Sequence, residues 1–337
     1  MSTMTVNPTL HQRIGLSLGV LALGLIVTCM GVAVGSNGWS WPLGQGGSVE
    51  ANILFELRWP RALGAWWIGA LLGWAGALGQ SLFRNPLADP YLLGSASGAG
   101  LGVALGLLTL QGWVGLPMGW VHLGTTGLAF LGAWLAVLMA LWLSGAWVKT
   151  TRLLLAGVVV GVVLSAATSA LMLMVPQAWM TFQSFMLGTT QTLDWNAVIW
   201  LAVGGGVALI MVQPVVKTLD VLSLGESTAL SLGLNLQQSR VILILSMTLA
   251  TSLAVAHAGL IAFVGLAAPH LARSLIRAKP SESLWLSAWV GGLLMAAADL
   301  LSRWLWAPLE WPVGILTALL GGAYLLYRLG HLSKDSA

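Results

Sequence analysis

Residues 58–102 read RWPRALGAWWIGALLGWAGALGQSLFRNPLADPYLLGSASGAGLG, and only Arg58, Arg61, Arg84 and Asp89 among them carry charge. Two apolar runs flank the polar knot Arg84-Asn85-Pro86-Leu87-Ala88-Asp89-Pro90. An apolar run of ~20 residues is long enough to cross a bilayer as a helix. In lipid the backbone must satisfy its own hydrogen bonds, so such a run is helical. Pro86 and Pro90 end one span before the next begins. Pro60 disfavours helix at Trp59, which places Arg58 and Arg61 just outside the span at 62–82. Gly69 and Gly73 lie four apart on one helix face, as do Gly94, Gly98, Gly102 and Gly106; small residues at that spacing let helices approach closely. Gly98-x-Gly100-x-Gly102 follows no strand, so it reads as packing and not as a phosphate cradle.

The same pattern extends outward. Of 337 residues, 58% are hydrophobic and 7% charged, against ~25% charged in a soluble domain. This excludes a soluble globular protein, a disordered chain and a nucleic-acid binder. The net charge of +4 is spread singly between apolar runs and forms no basic patch. The single cysteine, Cys29, permits no intramolecular disulfide and no multi-cysteine metal site. Eight stretches of 16 or more residues lack Asp, Glu, Lys and Arg: 14–49, 62–83, 90–148, 153–193, 195–216, 241–272, 283–298 and 311–327. The 90–148 run holds two helices with a break around Gly112–Pro117, and 153–193 and 241–272 each hold a helix plus a short or re-entrant piece. The expectation is an all-α polytopic membrane protein, a single transmembrane domain over 1–337. Its ten helices fall near 14–34, 62–82, 91–111, 124–146, 153–174, 195–213, 240–257, 264–276, 284–303 and 312–330. The 14–34 core is longer than a signal-peptide core and reads as a retained span.

Ten spans put both termini on one side. That side carries Arg13, Arg84, Lys149, Arg152, Lys217, Arg240, Arg273, Arg277, Lys279, Arg328 and Lys334; the other has Arg58, Arg61 and Arg303. Positive charge stays cytoplasmic, so both termini are expected in the cytoplasm. Tryptophans such as Trp39, Trp41, Trp59, Trp304 and Trp311 cluster near span ends, where amphipathic rings suit the interface.

Further motifs lie along the chain: Leu153-Leu154-Leu155-Ala156-Gly157, Leu224-Gly225-Glu226-Ser227-Thr228-Ala229-Leu230-Ser231-Leu232-Gly233, Gly259-Leu260-Ile261-Ala262-Phe263-Val264-Gly265-Leu266, Pro269-His270-x-x-Arg273, Asp299-x-x-x-Arg303 and Glu310-x-Pro312-Val313-Gly314. With the 58–102 segment, they resemble the permease subunits of ABC importers for iron–siderophore complexes, haem and vitamin B12 (FecCD/BtuC-like). The resemblance covers about residues 50–325. It implies the type II ABC importer permease fold, pairing with a second copy, likeness to homodimers, and a path between the copies. It also implies two ATPase subunits that bind ATP and Mg, one periplasmic or extracellular substrate-binding protein, and a place in the cell inner (plasma) membrane. No cofactor is expected on this chain. Asn85, Pro86, Pro90, Gly94, Gly98, Pro269, His270 and Asp299 are then structural motif positions.

Three groups of residues take roles in that picture. Gly157, Gly161, Ser165, Thr168, Ser169 and Met172 form one small, weakly polar stripe; the alternatives are helix packing and a wall of the substrate pathway, which the resemblance favours. Residues 217–239 form the longest polar connection, punctuated by Gly225 and Gly233 into two short helices. They read as an amphipathic surface segment, and the resemblance makes them coupling helices for the ATPase through Leu224, Gly225, Glu226, Ala229, Leu232 and Gly233. Arg58, Arg61 and Arg303 are snorkelling anchors or a basic rim that docks the binding protein. Asp299 is spaced to pair with Arg303 one turn away.

No catalytic and no metal site is expected. His257 and His270 have no ligand partner at useful spacing and read as packing residues. The chain lacks a Gly-x-x-x-x-Gly-Lys-[Ser/Thr] loop, so ATP hydrolysis is assigned to a separate subunit. The expected function is translocation of a bulky metal chelate, an iron(III)–siderophore complex or haem, with cobalamin as the alternative. An ion-coupled secondary transporter would carry carboxylates near mid-membrane, and here only Asp299 is a candidate. A membrane enzyme would need a cluster of His, Asp or Glu, and none is present.

Overall fold

The computed structural model describes residues 10–35, 38–39, 48–110, 118–145, 150–276 and 278–332. The helices are α1 (Leu10–Ala33), α2 (Ser48–Ile53), α3 (Trp59–Phe83), α4 (Ser95–Leu110), α5 (Met118–Leu143), α6 (Thr150–Met174), α7 (Trp179–Leu187), α8 (Trp195–Val212), α9 (Val216–Ser223), α10 (Glu226–Ser231), α11 (Leu236–Ala258), α12 (Val264–Leu275), α13 (Pro280–Trp304) and α14 (Val313–Leu332). A two-residue ribbon pairs Val34–Gly35 with Gly38–Trp39. The break at Gly112–Pro117, Trp41 and the cations Lys149, Arg277 and Lys334 lie outside the described residues.

Each of the ten expected spans falls on a helix. Six helical stretches are long and apolar enough to cross a membrane: Ala51–Phe83, Leu123–Leu143, Thr151–Met174, Trp195–Ser223, Leu236–Ala258 and Pro280–Trp304. Leu18–Ala33, Ser95–Thr109 and Val313–Tyr324 are shorter apolar helices. The chain is a multi-pass membrane protein. The surplus length in the 153–193 and 241–272 runs forms α7, of 9 residues, and α12, of 12. At ~1.5 Å per residue α12 is about 18 Å long, well short of the ~30 Å hydrocarbon core.

The core sits around α3, which packs against α13, α11, α12 and α8. In its most apolar stretch 83% is buried, against 22% in α6, so α3 is the axis and α6 an outer helix. Close approach is set by glycine. A methyl group on Gly69 would collide with the Gly291 carbonyl, and one on Gly73 with the Ser287 carbonyl. Gly98 and Gly102 meet Gly132 and Leu128 of α5 in the same way. Gly94 departs from that face: it has φ +87 and closes the turn Pro90–Leu93.

The polar knot is a capped turn. Asn85 Oδ1 accepts from Leu87 N at 2.9 Å, and Asp89 Oδ1 accepts from Tyr91 N at 2.8 Å. Burial pushes the Asp89 carboxyl up, partly offset by the Tyr91 N–H. Pro90 packs on Gly265 of α12, which ties the knot to the Pro269 segment. Pro269 lies inside α12 and has no N–H for the Gly265 carbonyl four residues back. That carbonyl rests on the Cα of Gly76 in α3, a Cα–H···O geometry that only a glycine admits here. His270 meets Tyr324 of α14 edge-on, ring centroids 5.7 Å apart.

Trp59 and Pro60 are helical, contrary to the sequence expectation. A π-helical turn, Leu54–Arg58, precedes α3, and Trp59 N donates to Leu54 O. The wider turn relieves the clash a proline ring makes with the preceding turn. In that register Pro60 would owe a hydrogen bond to the Phe55 carbonyl; Trp195 Nε1 supplies it at 2.8 Å. A tertiary contact thus overrides the local rule, and Arg58 and Arg61 lie within a continuous helix.

Candidate functional site

The two ends of α13 carry the two candidate sites. At its start, Ser281 N and Oγ donate to Asp220 of α9 at 2.9 and 2.6 Å. At its other end, Asp299 and Arg303 engage α1 and α3. Eighteen residues separate Ser281 from Asp299, about 27 Å at 1.5 Å per residue.

At the Ser281 end, Gly225 (φ +122) and Gly233 (φ +75) supply backbone that L side chains rarely adopt, and the chain breaks into α9 and α10. Leu222, Ala229 and Leu236 form a small buried cluster beneath them. Glu226 pairs with Arg240 on the first turns of α11. The segment is therefore held from below, yet Leu224 is 71% exposed and Leu230 and Leu232 are each 62% exposed. Ala229, expected at the contact surface, faces inward instead: on a one-and-a-half-turn helix it takes the side that packs on Leu222. Leu230 also faces outward; α10 is too short for a periodicity along the sequence to show which leucine does.

At the opposite end, four charges converge. Arg61 Nε meets Asp299 Oδ1 at 3.1 Å and Arg61 Nη1 meets Glu310 Oε2 at 2.8 Å. Arg303 pairs with Asp299 Oδ2. Thr190 Oγ1 donates to Asp299 Oδ1 at 2.5 Å, and Gln191 Nε2 to Glu310 at 3.1 Å. Arg303 Nη1 also donates to the carbonyls of Gly31 and Val34, both at 2.8 Å, which closes the end of α1. Two cations and two anions cancel, and both carboxylate oxygens of Asp299 are hydrogen-bonded, as a buried ion cluster requires. Arg303 is 2% exposed. Arg61 and Arg303 are thus lattice members and not an open basic rim: burial next to two carboxylates is what they gain from a tertiary contact invisible in sequence. Arg58 remains partly exposed and donates to Val32 O at 3.3 Å. The Asp299–Arg303 pairing follows its spacing; Arg61, 238 residues from Asp299, Thr190, Gln191 and Glu310 carried no spacing signal.

The α6 stripe divides. Gly157 packs against the backbone of Leu92 and Leu93, and Gly161 lies beside Gly94 and Ser97. Thr168 and Met172 are buried within this chain, and Thr168 Oγ1 returns to Leu164 O at 2.8 Å. Those four face inward: Gly157 and Gly161 pack on residues 92–97, and Thr168 and Met172 are buried. Ser165 and Ser169 are exposed; Ser165 Oγ donates to Ser97 Oγ at 3.0 Å and Ser169 Oγ to Ser165 O at 3.1 Å. The exposed face also carries Leu155, Val158, Val159, Val162, Val163, Leu173 and Met174. Among the described residues no three His, Cys, Asp or Glu side chains converge as a metal site.

The FecCD transport family pattern matches residues 16–330. The chain is 36% identical over 285 residues to the Fe(3+)-citrate import system permease protein YfmD of Bacillus subtilis, covering 83% of this chain and 82% of that protein. It is 36% identical over 319 residues to the vitamin B12 import system permease protein BtuC of Serratia proteamaculans, covering 94% and 92%. It is 34% identical over 328 residues to the hemin transport system permease protein HmuU of Yersinia pestis, covering 93% and 95%. A solved inward-facing conformation of a metal-chelate type ABC transporter superposes with TM-score 0.81 at 26% identity, over 94% of this chain and 99% of that one. The chain belongs to the FecCD transport family.

Proposed function

We propose that this chain is the membrane permease subunit of an ATP-driven importer for a bulky metal chelate: an iron(III)–siderophore complex, haem or cobalamin. It spans the inner membrane ten times with both termini in the cytoplasm and pairs with a second copy. A separate ATPase binds ATP and Mg and docks on α9 and α10. A substrate-binding protein docks at the Asp299 end. The observation that carries this reading is the exposed leucine group Leu224, Leu230 and Leu232 on a segment pinned by Asp220–Ser281 and Glu226–Arg240. A rigid segment with an apolar outer face fits a groove on a partner and passes on its motion as a rigid body.

The ion-coupled alternative loses its candidate carboxylate. Asp299 is held by two arginines and Thr190, so it has no freedom to load and release an ion. Vesicles reconstituted with this chain, its ATPase and its binding protein should accumulate chelate only with ATP. Uptake driven by an ion gradient without ATP would refute the proposal.

A further inference from the structure

Several helical serine and threonine hydroxyls in this chain turn back to the carbonyl four residues earlier. Thr28, Thr109, Thr168, Ser169, Thr248 and Ser287 all do so. Thr126 of α5 and Thr181 and Ser184 of α7 make no such bond, and Thr192 lies in a turn outside any helix; Thr181, Ser184 and Thr192 are exposed. These four hydroxyls line one cleft, together with Thr125 and His257. The cleft holds 160 Å³ between α4, α5, α7 and the end of α11, at the Asp299 end of the bundle. Its walls are mainly apolar, with Leu107 and Phe185 among them. An apolar wall with a few placed polar groups is the composition of a small-molecule site.

Size and charge narrow the occupant. A site for a whole drug-sized ligand is ~300–1,000 Å³, so only a side arm of a chelate enters 160 Å³. Among the described residues, no Lys, Arg, Asp or Glu lines the cleft. The C-terminal turn of α11 contributes Ala256 to Gly259, and a helix C-terminus carries partial negative charge. His257 Nδ1 lies 2.9 Å from Leu253 O and donates to it, since a carbonyl only accepts. An ionised carboxylate would lose its hydration here against a partial negative charge, with no lysine or arginine among the described lining residues to compensate. Hydroxyls, which donate and accept, match a neutral amide or hydroxyl arm.

We infer that this cleft receives a neutral hydrogen-bonding arm of the chelate, amide or hydroxyl, and disfavours carboxylate arms. The inference rests on the importer reading and names the substrate class within it: chelates with neutral periphery over those rimmed with carboxylates.

The test uses the permease with its ATPase in nanodiscs and two matched pairs of probes. Dicyanocobinamide has amide arms where dicyanocobyrinic acid has carboxylates on one corrin; ferrichrome is a neutral iron chelate and ferric citrate a carboxylate one. In at least one pair the neutral member should be retained about fivefold more, the scale of one neutral hydrogen bond. Thr181→Val with Thr192→Val keeps the shape of the cleft and should abolish that preference. Thr181→Ser with Thr192→Ser should keep it. No preference in either pair, or a preference that survives the valine variant, overturns the inference. ATP-driven uptake by wild-type vesicles is scored separately, so failure of the importer reading is told apart from failure of the cleft assignment.

Discussion

The two ends of α13 solve opposite problems. At the Asp299 end, Arg61 of α3, Asp299 and Arg303 of α13 and Glu310 just beyond it are brought together, with Asp299 and Arg303 buried. At the Ser281 end, the Glu226–Arg240 pair is half-open, with the Glu226 side chain 42% exposed, and large leucines face outward. A buried, neutralised cluster holds α1, α3, the 188–193 turn and α13 in one arrangement. An apolar face left open stays available to a second protein. The difference teaches that convergent charge does not by itself make an open surface: at the end richer in it, the charges of Arg61, Asp299, Arg303 and Glu310 are locked among themselves.

The largest effect should come from the locked end. Asp299→Ala leaves Arg61 and Arg303 buried without their shared carboxylate, at about 3–5 kcal/mol. The melting temperature of the purified protein in detergent should fall sharply, and little folded protein should be recovered. A wild-type melt for this variant would break the comparison. Arg61→Glu should behave in the same direction, since it sets a third carboxylate beside Asp299 and Glu310.

Next in size is Leu230→Asp with Leu232→Asp at the open end. Both side chains are exposed, so the melt should stay within ~0.5 kcal/mol of wild type. ATPase co-purification and ATP-driven uptake should nevertheless be lost, because a charge in an apolar socket goes unpaired. Retained coupled transport would remove the docking assignment.

A smaller effect is expected at Arg58, the one member of the arginine trio outside the ion lattice. Arg58→Glu should slow association of the binding protein at low salt and weaken its salt dependence, leaving stability nearly unchanged; exposed pairs contribute ~0.2–1 kcal/mol but steer encounter. An unchanged association rate would assign Arg58 to anchoring.

The finest distinction lies on α6. In a Cys29→Ser background, Ser165→Cys and Ser169→Cys should react with a water-soluble thiol reagent if this face lines the path, whereas Thr168→Cys, buried within this chain, should be protected. Equal protection at all three in every nucleotide state would assign the whole helix to packing.

Much of this architecture was legible along the chain because a bilayer imposes local rules. Apolar length dictates helix, and the prolines at 86 and 90 and the glycines at 225 and 233 mark breaks that need no tertiary knowledge. The site was legible only in part. The stripe on α6 looked uniform because small residues suit both packing and a pathway, and only burial in the folded chain separates Thr168 from Ser165. Leu230 and Ala229 are neighbours with opposite fates, decided by where Leu222 and Leu236 sit.

By itself the sequence determined that this is a multi-pass helical membrane protein, where its helices fall, and that Asp299 faces Arg303, since each follows from spacing of a few residues or from the length of apolar runs. Tertiary structure alone decided that Arg61 joins them, that Trp195 completes the carbonyl Pro60 leaves open, and that the Gly265 carbonyl freed by Pro269 rests on Gly76. These contacts join residues far apart in the chain, and each is enforced by the need to satisfy a charge or a polar backbone group where water is excluded.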